Sequence, residues 1–190
     1  MLFTLHSLSG KIAGIVALLG FAPYILSTIK RKNKPNRATW IIWFVVSLIL
    51  LTSYRSAGAT DTLWVSMTNV IFCGTVAILS IRYGQGGWNF FDLCCLCGAG
   101  IGLFLWWYFK SPLPTLYISL VIDAIGALPT LKKAYHHPKS EDAVSWILFW
   151  IANTINLFAI ETWAPQISLY PLYLFLISGM MVGILKRQRG

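Results

Sequence analysis

Seven apolar stretches of roughly membrane-spanning length leave little of this chain for anything else. A helix needs about 20 mostly apolar residues to cross a hydrocarbon core about 30 Å thick, at about 1.5 Å of rise per residue. Stretches of that kind run over residues 11–29, 39–54, 62–82, 90–109, 113–133, 144–160 and 168–185. The second and sixth are short, so they should stand nearly along the bilayer normal or lean on interfacial tryptophan. With 57% hydrophobic residues, 11% charged residues and a mean hydropathy of +0.68, the chain also lies outside the composition of soluble domains. The expectation is an all-α, multi-pass membrane protein.

A net charge of +9 would suit a nucleic-acid partner, but the placement of the basic residues argues against one. Seven spans with the N-terminus outside put Lys30, Arg31, Lys32, Lys34, Arg37, Arg82, Lys132, Lys133, Lys139, Lys186, Arg187 and Arg189 on the inner side. Those are 12 of the 15 Lys and Arg residues, leaving Lys11, Arg55 and Lys110 outside. The positive-inside rule therefore predicts N-out, C-in, and the basic loops face anionic lipid headgroups rather than nucleic acid.

The first apolar run has no basic segment before it and no small-residue cleavage pattern, so it reads as a retained helix rather than a signal peptide. Cys73, Cys94, Cys95 and Cys97 all fall within spans, which argues against a disulfide framework and for buried, soft packing. Cys94 and Cys97 share a face, yet Asp92 is the one acidic or histidine neighbour, so no metal site and no cofactor is expected. His136 and His137 sit in a charged inner loop with Lys132, Lys133, Glu141 and Asp142 and read as solvated. Asp92, near the inner end of the fourth span, should reach water.

The chain repeats itself. At an offset of 106, Gly20 meets Gly126, Pro23 meets Pro129, Trp40 meets Trp146 and Ile41 meets Ile147, without a gap. Thr39 falls opposite Ser145 and Trp43 opposite Phe149. Both copies therefore read as an apolar helix with a proline near its inner end, a polar loop, then an aromatic-rich helix. The predicted order is 3+1+3: a first triple-helix repeat over residues 1–83, a linker helix within 84–111, and a second repeat over 112–190. Copies four helices apart enter the membrane in the same sense, so they are parallel repeats about an axis along the membrane normal. Proline removes a backbone hydrogen bond and crowds the preceding turn, so Pro23 and Pro129 are expected as paired hinges. The glycine-rich "CCLCGAGIG" run of the fourth span suits close helix packing and carries no chemistry.

This pattern resembles the PQ-loop superfamily, which includes the SWEET sugar transporters, the lysosomal cystine and basic amino-acid exporters and the nicotinamide riboside transporters. The resemblance covers nearly the whole chain. Its Pro-Gln dipeptide stands here as Pro23-Tyr24 and Pro129-Thr130, with the proline kept and the glutamine replaced; Pro165-Gln166 falls in an outer loop, away from the motif position. In SWEET-like members an asparagine on the third helix of a repeat contacts sugar, a role the resemblance assigns to Asn69, whose counterpart at the repeat offset is Phe175. Nicotinamide riboside transporters carry a Trp-x-x-Trp-x-x-x-Asn signature; here Trp40 and Trp43 are followed by Ser47, and the second copy has Trp146, Trp150 and Asn153 at a different spacing.

Asp123 is the residue that most needs a reason, because an ionisable group at mid-span costs about 2.5–3.5 kcal/mol on insertion scales. In "SLVIDAIGALP" it can serve as a proton-coupling or substrate-amine site, or as a carboxyl hydrogen-bonded across the bundle. Trp146, Trp150 and Asn153 share one face of the sixth span, with Asn156 on an overlapping stripe and Ser47 opposite Asn153 in the first copy. Rings beside amides suit a sugar or heterocycle, while tryptophan belts and interhelical amides give the structural alternative. No nucleophile–base set, phosphate cradle or paired intramembrane carboxylates are present, so an enzyme is disfavoured.

The expected function is transport of a small polar or amphipathic solute by alternating access, with Asn69, Asp123, Asn153, Asn156, Ser47, Trp146 and Trp150 as binding residues and Asp123 carrying any proton coupling. The alternatives are a non-transporting receptor of the same architecture and a structural or regulatory membrane protein. The partners are the solute and the lipid bilayer, with a homo-oligomer left open. Compact loops suit a bacterial inner membrane.

Overall fold

The computed structural model describes residues 5–56, 58–85, 90–109 and 112–187; Lys110 and Arg189 of the charge argument lie outside them. Seven α-helices make up almost all of the described chain: α1 (Leu5–Ile29), α2 (Arg37–Ser56), α3 (Leu63–Tyr83), α4 (Phe90–Phe109), α5 (Pro112–His136), α6 (Ala143–Leu157) and α7 (Pro165–Lys186). A single 3-10 turn, Pro138–Ser140, joins α5 to α6. Four of the helices, α1, α2, α3 and α7, are long and apolar enough to cross a membrane. The molecule is thus an all-α protein with the helices of a membrane protein. Its surface agrees, since Leu19, Ile71, Ile78, Ile101, Phe104 and Leu176 are each more than half exposed, an apolar display that water would penalise.

The two repeat copies start their aromatic helices in the same way. Asn36 accepts the backbone N–H of Thr39 at 3.1 Å ahead of α2, and Asp142 accepts that of Ser145 at 2.9 Å ahead of α6. Each short polar side chain satisfies an N–H that the first helical turn leaves unpaired. Pro23 and Pro129 lie inside α1 and α5, which run on past them as helix. Beyond Pro23, the carbonyl of Tyr24 accepts the hydroxyls of Ser27 and Thr28 at 3.0 and 2.8 Å, closing the end of α1.

Helix α1 packs on α3 and α6, α2 on α3 and α5, and α7 on α5 and α6, so six helices close a ring in the order α1, α3, α2, α5, α7, α6. Helix α4 lies outside the ring against α5, with a lighter contact to α2. One end of the ring gathers the α1–α2, α3–α4 and α5–α6 connections. There Lys34 donates its N–H to Ser140 O at 2.9 Å, Gln85 to Pro35 O at 3.1 Å, and the Arg37 side chain to Ser80 O and Gly84 O. The described Lys and Arg residues from 30 to 37 and from 132 to 139 lie at this end, called the basic end below. At the far end His6 Nδ1 donates to Phe158 O at 3.0 Å and Asp61 N–H to Glu161 Oε1 at 2.7 Å.

Three expectations change. Asp92 does not reach water: it is 1% exposed in the first turn of α4 and accepts the Asn36 amide at 3.3 and 3.5 Å, because α4 lies across the start of α2. Cys94 and Cys97 are exposed rather than buried, since α4 has neighbours on one side alone, whereas Cys73 and Cys95 are buried. Gln166 stands in the first turn of α7 rather than in a loop, with Pro165 at a position where its missing N–H costs nothing.

Candidate binding cavity

A cavity of about 70 Å³ lies inside the ring, lined by residues of α1, α2, α3, α5, α6 and α7. It brings together Ser47, Asn69, Asp123, Trp146 and Asn153, five of the seven residues singled out for binding. Trp40, Trp43, Phe72, Phe149 and Tyr170 supply its aromatic wall. The volume admits a few water molecules or a small headgroup and is far below the hundreds of Å³ typical of a drug-sized site.

Asp123 enters from α5 and is 7% exposed. Tyr173 of α7 donates its hydroxyl to Asp123 Oδ2 at 2.6 Å, and Trp43 of α2 donates its indole N–H to the Asp123 backbone carbonyl at 3.0 Å. The carboxyl is thereby held by α7, and the backbone of α5 at the same residue by α2. Asn69 of α3 donates to the Tyr170 hydroxyl at 3.4 Å, linking α3 to α7 across the ring. Asn153 of α6 donates to Ser178 Oγ at 3.2 Å and to Leu174 O at 3.3 Å, and Ser47 donates to Phe44 O at 2.8 Å.

Trp150 and Asn156 lie apart from this cavity. Trp150 stacks on Phe175 with ring centroids 6.1 Å apart and presses against Gly179, so its part of the helix face meets α7. Asn156 is buried at 2% exposure near the C-terminal end of α6. Pro23 and Pro129 are outside the lining as well.

The basic end of the cavity is sealed by groups that the sequence does not single out. Trp146 lines the cavity with its ring and donates its indole N–H at 2.9 Å to Glu141 Oε2, which also accepts the Tyr24 hydroxyl at 3.1 Å. Lys133 pairs with Glu141 Oε1 and donates to the Lys34 carbonyl. Glu141 and Lys133, the latter in the last turn of α5, are 6% and 7% exposed, so these charges are buried rather than solvated. Beyond them lies a larger hollow of about 660 Å³ bordered by Lys32, His136, His137, Lys139 and Glu141. Below the seal the rings of Phe21, Phe72, Tyr24, Trp40, Trp43, Trp146 and Phe149 pack edge to face or stacked, with Phe21 on Phe72 at 3.9 Å.

At the far end Tyr54 of α2 donates to the carbonyl of Ile167 at the start of α7, and its ring meets Tyr170 at 5.8 Å. Glu161 accepts both the Thr60 hydroxyl and the Asp61 N–H, tying the α2–α3 connection to the α6–α7 connection. At both ends contacts join residues before 84 to residues after 111: Tyr24 to Glu141 and Lys133 to Lys34 at the basic end, Tyr54 to Ile167 and Asp61 to Glu161 at the far end. Tyr170 and Tyr173, spaced i, i+3 on one face of α7, were the one legible hint of a polar edge there.

No protein-family model, curated protein or solved structure matches the chain.

Proposed function

We propose that the protein is a transporter of a small polar or amphipathic solute, built as two parallel triple-helix repeats joined by α4 and working by alternating access. The helix order supports the repeat: α1 with α3 and α2 with α3 in the first half correspond to α5 with α7 and α6 with α7 in the second, while α1 on α6 corresponds to α5 on α2. The matching caps at Asn36 and Asp142 support the same register. On this reading all seven helices cross the bilayer, the basic end faces inward, and the first half, the linker and the second half take the residue bounds given above. The PQ-loop-like architecture belongs to this proposal, as does a bacterial inner membrane.

One observation carries it. A cavity lined by rings, amides and a carboxyl sits at the centre of the ring of helices, and the two halves meet at both of its ends, through Tyr24 on Glu141 and Lys133 on the Lys34 carbonyl at one and Tyr54 on Ile167 at the other. Alternating access requires two such closures that open in turn, with solute held between them. The reading is tested by uptake of labelled sugars, nucleosides and amino acids into proteoliposomes. Saturable flux of one class, dependent on pH and lost in Asp123→Asn, is expected. Solute bound without any flux would replace transport by a receptor, and pH-insensitive flux in Asp123→Asn would remove the proton coupling.

A further inference from the structure

Among the described residues, the cavity lining contains one acidic side chain and no Lys, Arg or His. Asp123 Oδ2 takes the Tyr173 hydroxyl, while Oδ1 takes no hydrogen bond from a described residue. Most donors of the lining are otherwise engaged; the Trp40 indole N–H, buried without a hydrogen-bond partner among the described residues, and the Tyr170 hydroxyl proton are those left over. Trp43 Nε1 is bound to the Asp123 carbonyl, Trp146 Nε1 to Glu141, Asn69 Nδ2 to Tyr170, and Asn153 Nδ2 to Ser178 and Leu174. Against the two donors left over stand three acceptors, Oδ1 of Asp123, Asn69 and Asn153, one of them on a carboxyl with no basic residue among the described lining.

The apolar part agrees in sign. The face of an aromatic ring is electron-rich and attracts a cation, most strongly at Trp and in a desolvated setting. Trp43 and Trp146 stand 6.3 Å apart, with Phe149 5.8 Å from Trp146. Such rings do nothing to stabilise an ionised carboxylate. A carboxylate, free acceptors and ring faces all favour a cationic guest.

We propose that the cavity binds a protonated amine with an apolar body, its N–H groups on Asp123 Oδ1 and the amide oxygens of Asn69 and Asn153, its carbon groups against Trp43, Trp146 and Phe149. The ammonium and a proton exchange at one site: when the amine enters, the carboxyl gives up its proton to water, and when the amine leaves, a proton returns. An unpaired carboxylate inside a bilayer is expensive, so one positive charge or the other accompanies Asp123 in each state. The remaining titratable groups near Asp123 are Tyr170 and Tyr173 of α7 and Cys73 of α3; α2 presents the Trp43 indole, and α4 contributes nothing to the lining. Passage of the amine across the membrane rests on the transporter reading, but its binding does not.

The test uses the purified full chain in detergent, with thermal unfolding as readout, since a ligand of the folded state raises the melting temperature by mass action. The probes are ethylammonium and propylammonium, small enough for a cavity of about 70 Å³, each against the alcohol of the same skeleton. Both ammonium ions are expected to raise the melting temperature and the alcohols to leave it unchanged. Alkylammonium ions stay charged through neutral pH as lysine does, at about 10.4. Their apparent affinity should therefore weaken as pH falls, approaching about tenfold per pH unit once the carboxyl is mostly protonated. Asp123→Asn should keep its own melting temperature, because the amide oxygen still accepts from Tyr173, and should lose the ammonium response. Equal shifts from amine and alcohol, no shift from either amine, or an undiminished response in Asp123→Asn would each overturn the proposal. Ammonium binding without counterflow in proteoliposomes would instead sink the transporter reading alone, and flux indifferent to solute charge would sink this inference alone.

Discussion

Gly20 of α1 lies so close to Phe149 of α6 that a Cβ on the glycine would come within 2.7 Å of the ring. Gly126 of α5 repeats the relationship: its Cβ would meet Ile42 at 2.7 Å and Trp43 at 3.4 Å, and Trp43 is the counterpart of Phe149 at the repeat offset. Each contact is where the first helix of one half meets the aromatic helix of the other. Gly20→Ala and Gly126→Ala are each expected to lower stability by about 1–3 kcal/mol through overpacking. Because the two contacts share no residue, the double variant should be roughly additive in thermal melts.

Breaking the buried pair at the basic end should be costly in one direction and mild in another. Lys133→Met leaves Glu141 buried without its cation, and Glu141→Leu leaves Lys133 buried without its anion; each is expected to cost about 3–5 kcal/mol. The double variant removes the stranded charge and should recover much of that loss. Recovery should be incomplete, since the Tyr24 hydroxyl and the Trp146 indole lose the acceptor they share. A double-mutant cycle measured by unfolding checks both statements, and strictly additive single costs would refute them.

The helices and the repeat could be read from the sequence because both are local properties. Apolar length sets a helix in a membrane, and Gly20, Pro23 and Trp40 recur at a fixed offset whatever they pack against. Asp123 and Asn153 could be found for the same reason, since a polar group amid apolar neighbours stands out along the chain. Glu141 and Lys133 could not. In sequence they belong to a charged loop, and their burial comes from Tyr24, 117 residues before Glu141, and from Trp146 folding over them. Trp150 fails in the opposite way: it shares a helix face with Trp146 and Asn153, but that face is wide enough to meet both the cavity and α7, and Phe175 and Gly179 decide which. Asp92 looked water-facing because its position near a helix end says nothing of α2 crossing it.

The two closures should be separable by accessibility. With the native cysteines replaced, a cysteine at Ser47 reports on the cavity. Glu141→Gln loosens the basic end, so labelling of that cysteine by an impermeant thiol reagent should rise from the basic side. Tyr54→Phe removes the hydrogen bond to Ile167, worth about 0.5–1.5 kcal/mol, and should raise labelling from the far side. Labelling that rises from the same side in both variants would contradict two independent closures.

Asn153 and Trp150 stand three residues apart on α6, and their roles divide. Asn153→Ala removes an amide that faces the cavity and also ties α6 to Ser178 and Leu174. A loss of about 0.5–1.5 kcal/mol in stability is expected from the lost hydrogen bonds, since Ser178 and the Leu174 carbonyl stay bonded to each other, together with weaker solute binding. Trp150→Phe should keep the stacking on Phe175 in reduced form, costing about 1 kcal/mol or less, and should leave solute binding as it was, because the ring is outside the lining. Thermal melts with and without propylammonium separate the two effects. If Trp150→Phe abolished the ligand-induced shift while Asn153→Ala preserved it, the cavity would be lined by a different face of α6 from the one described.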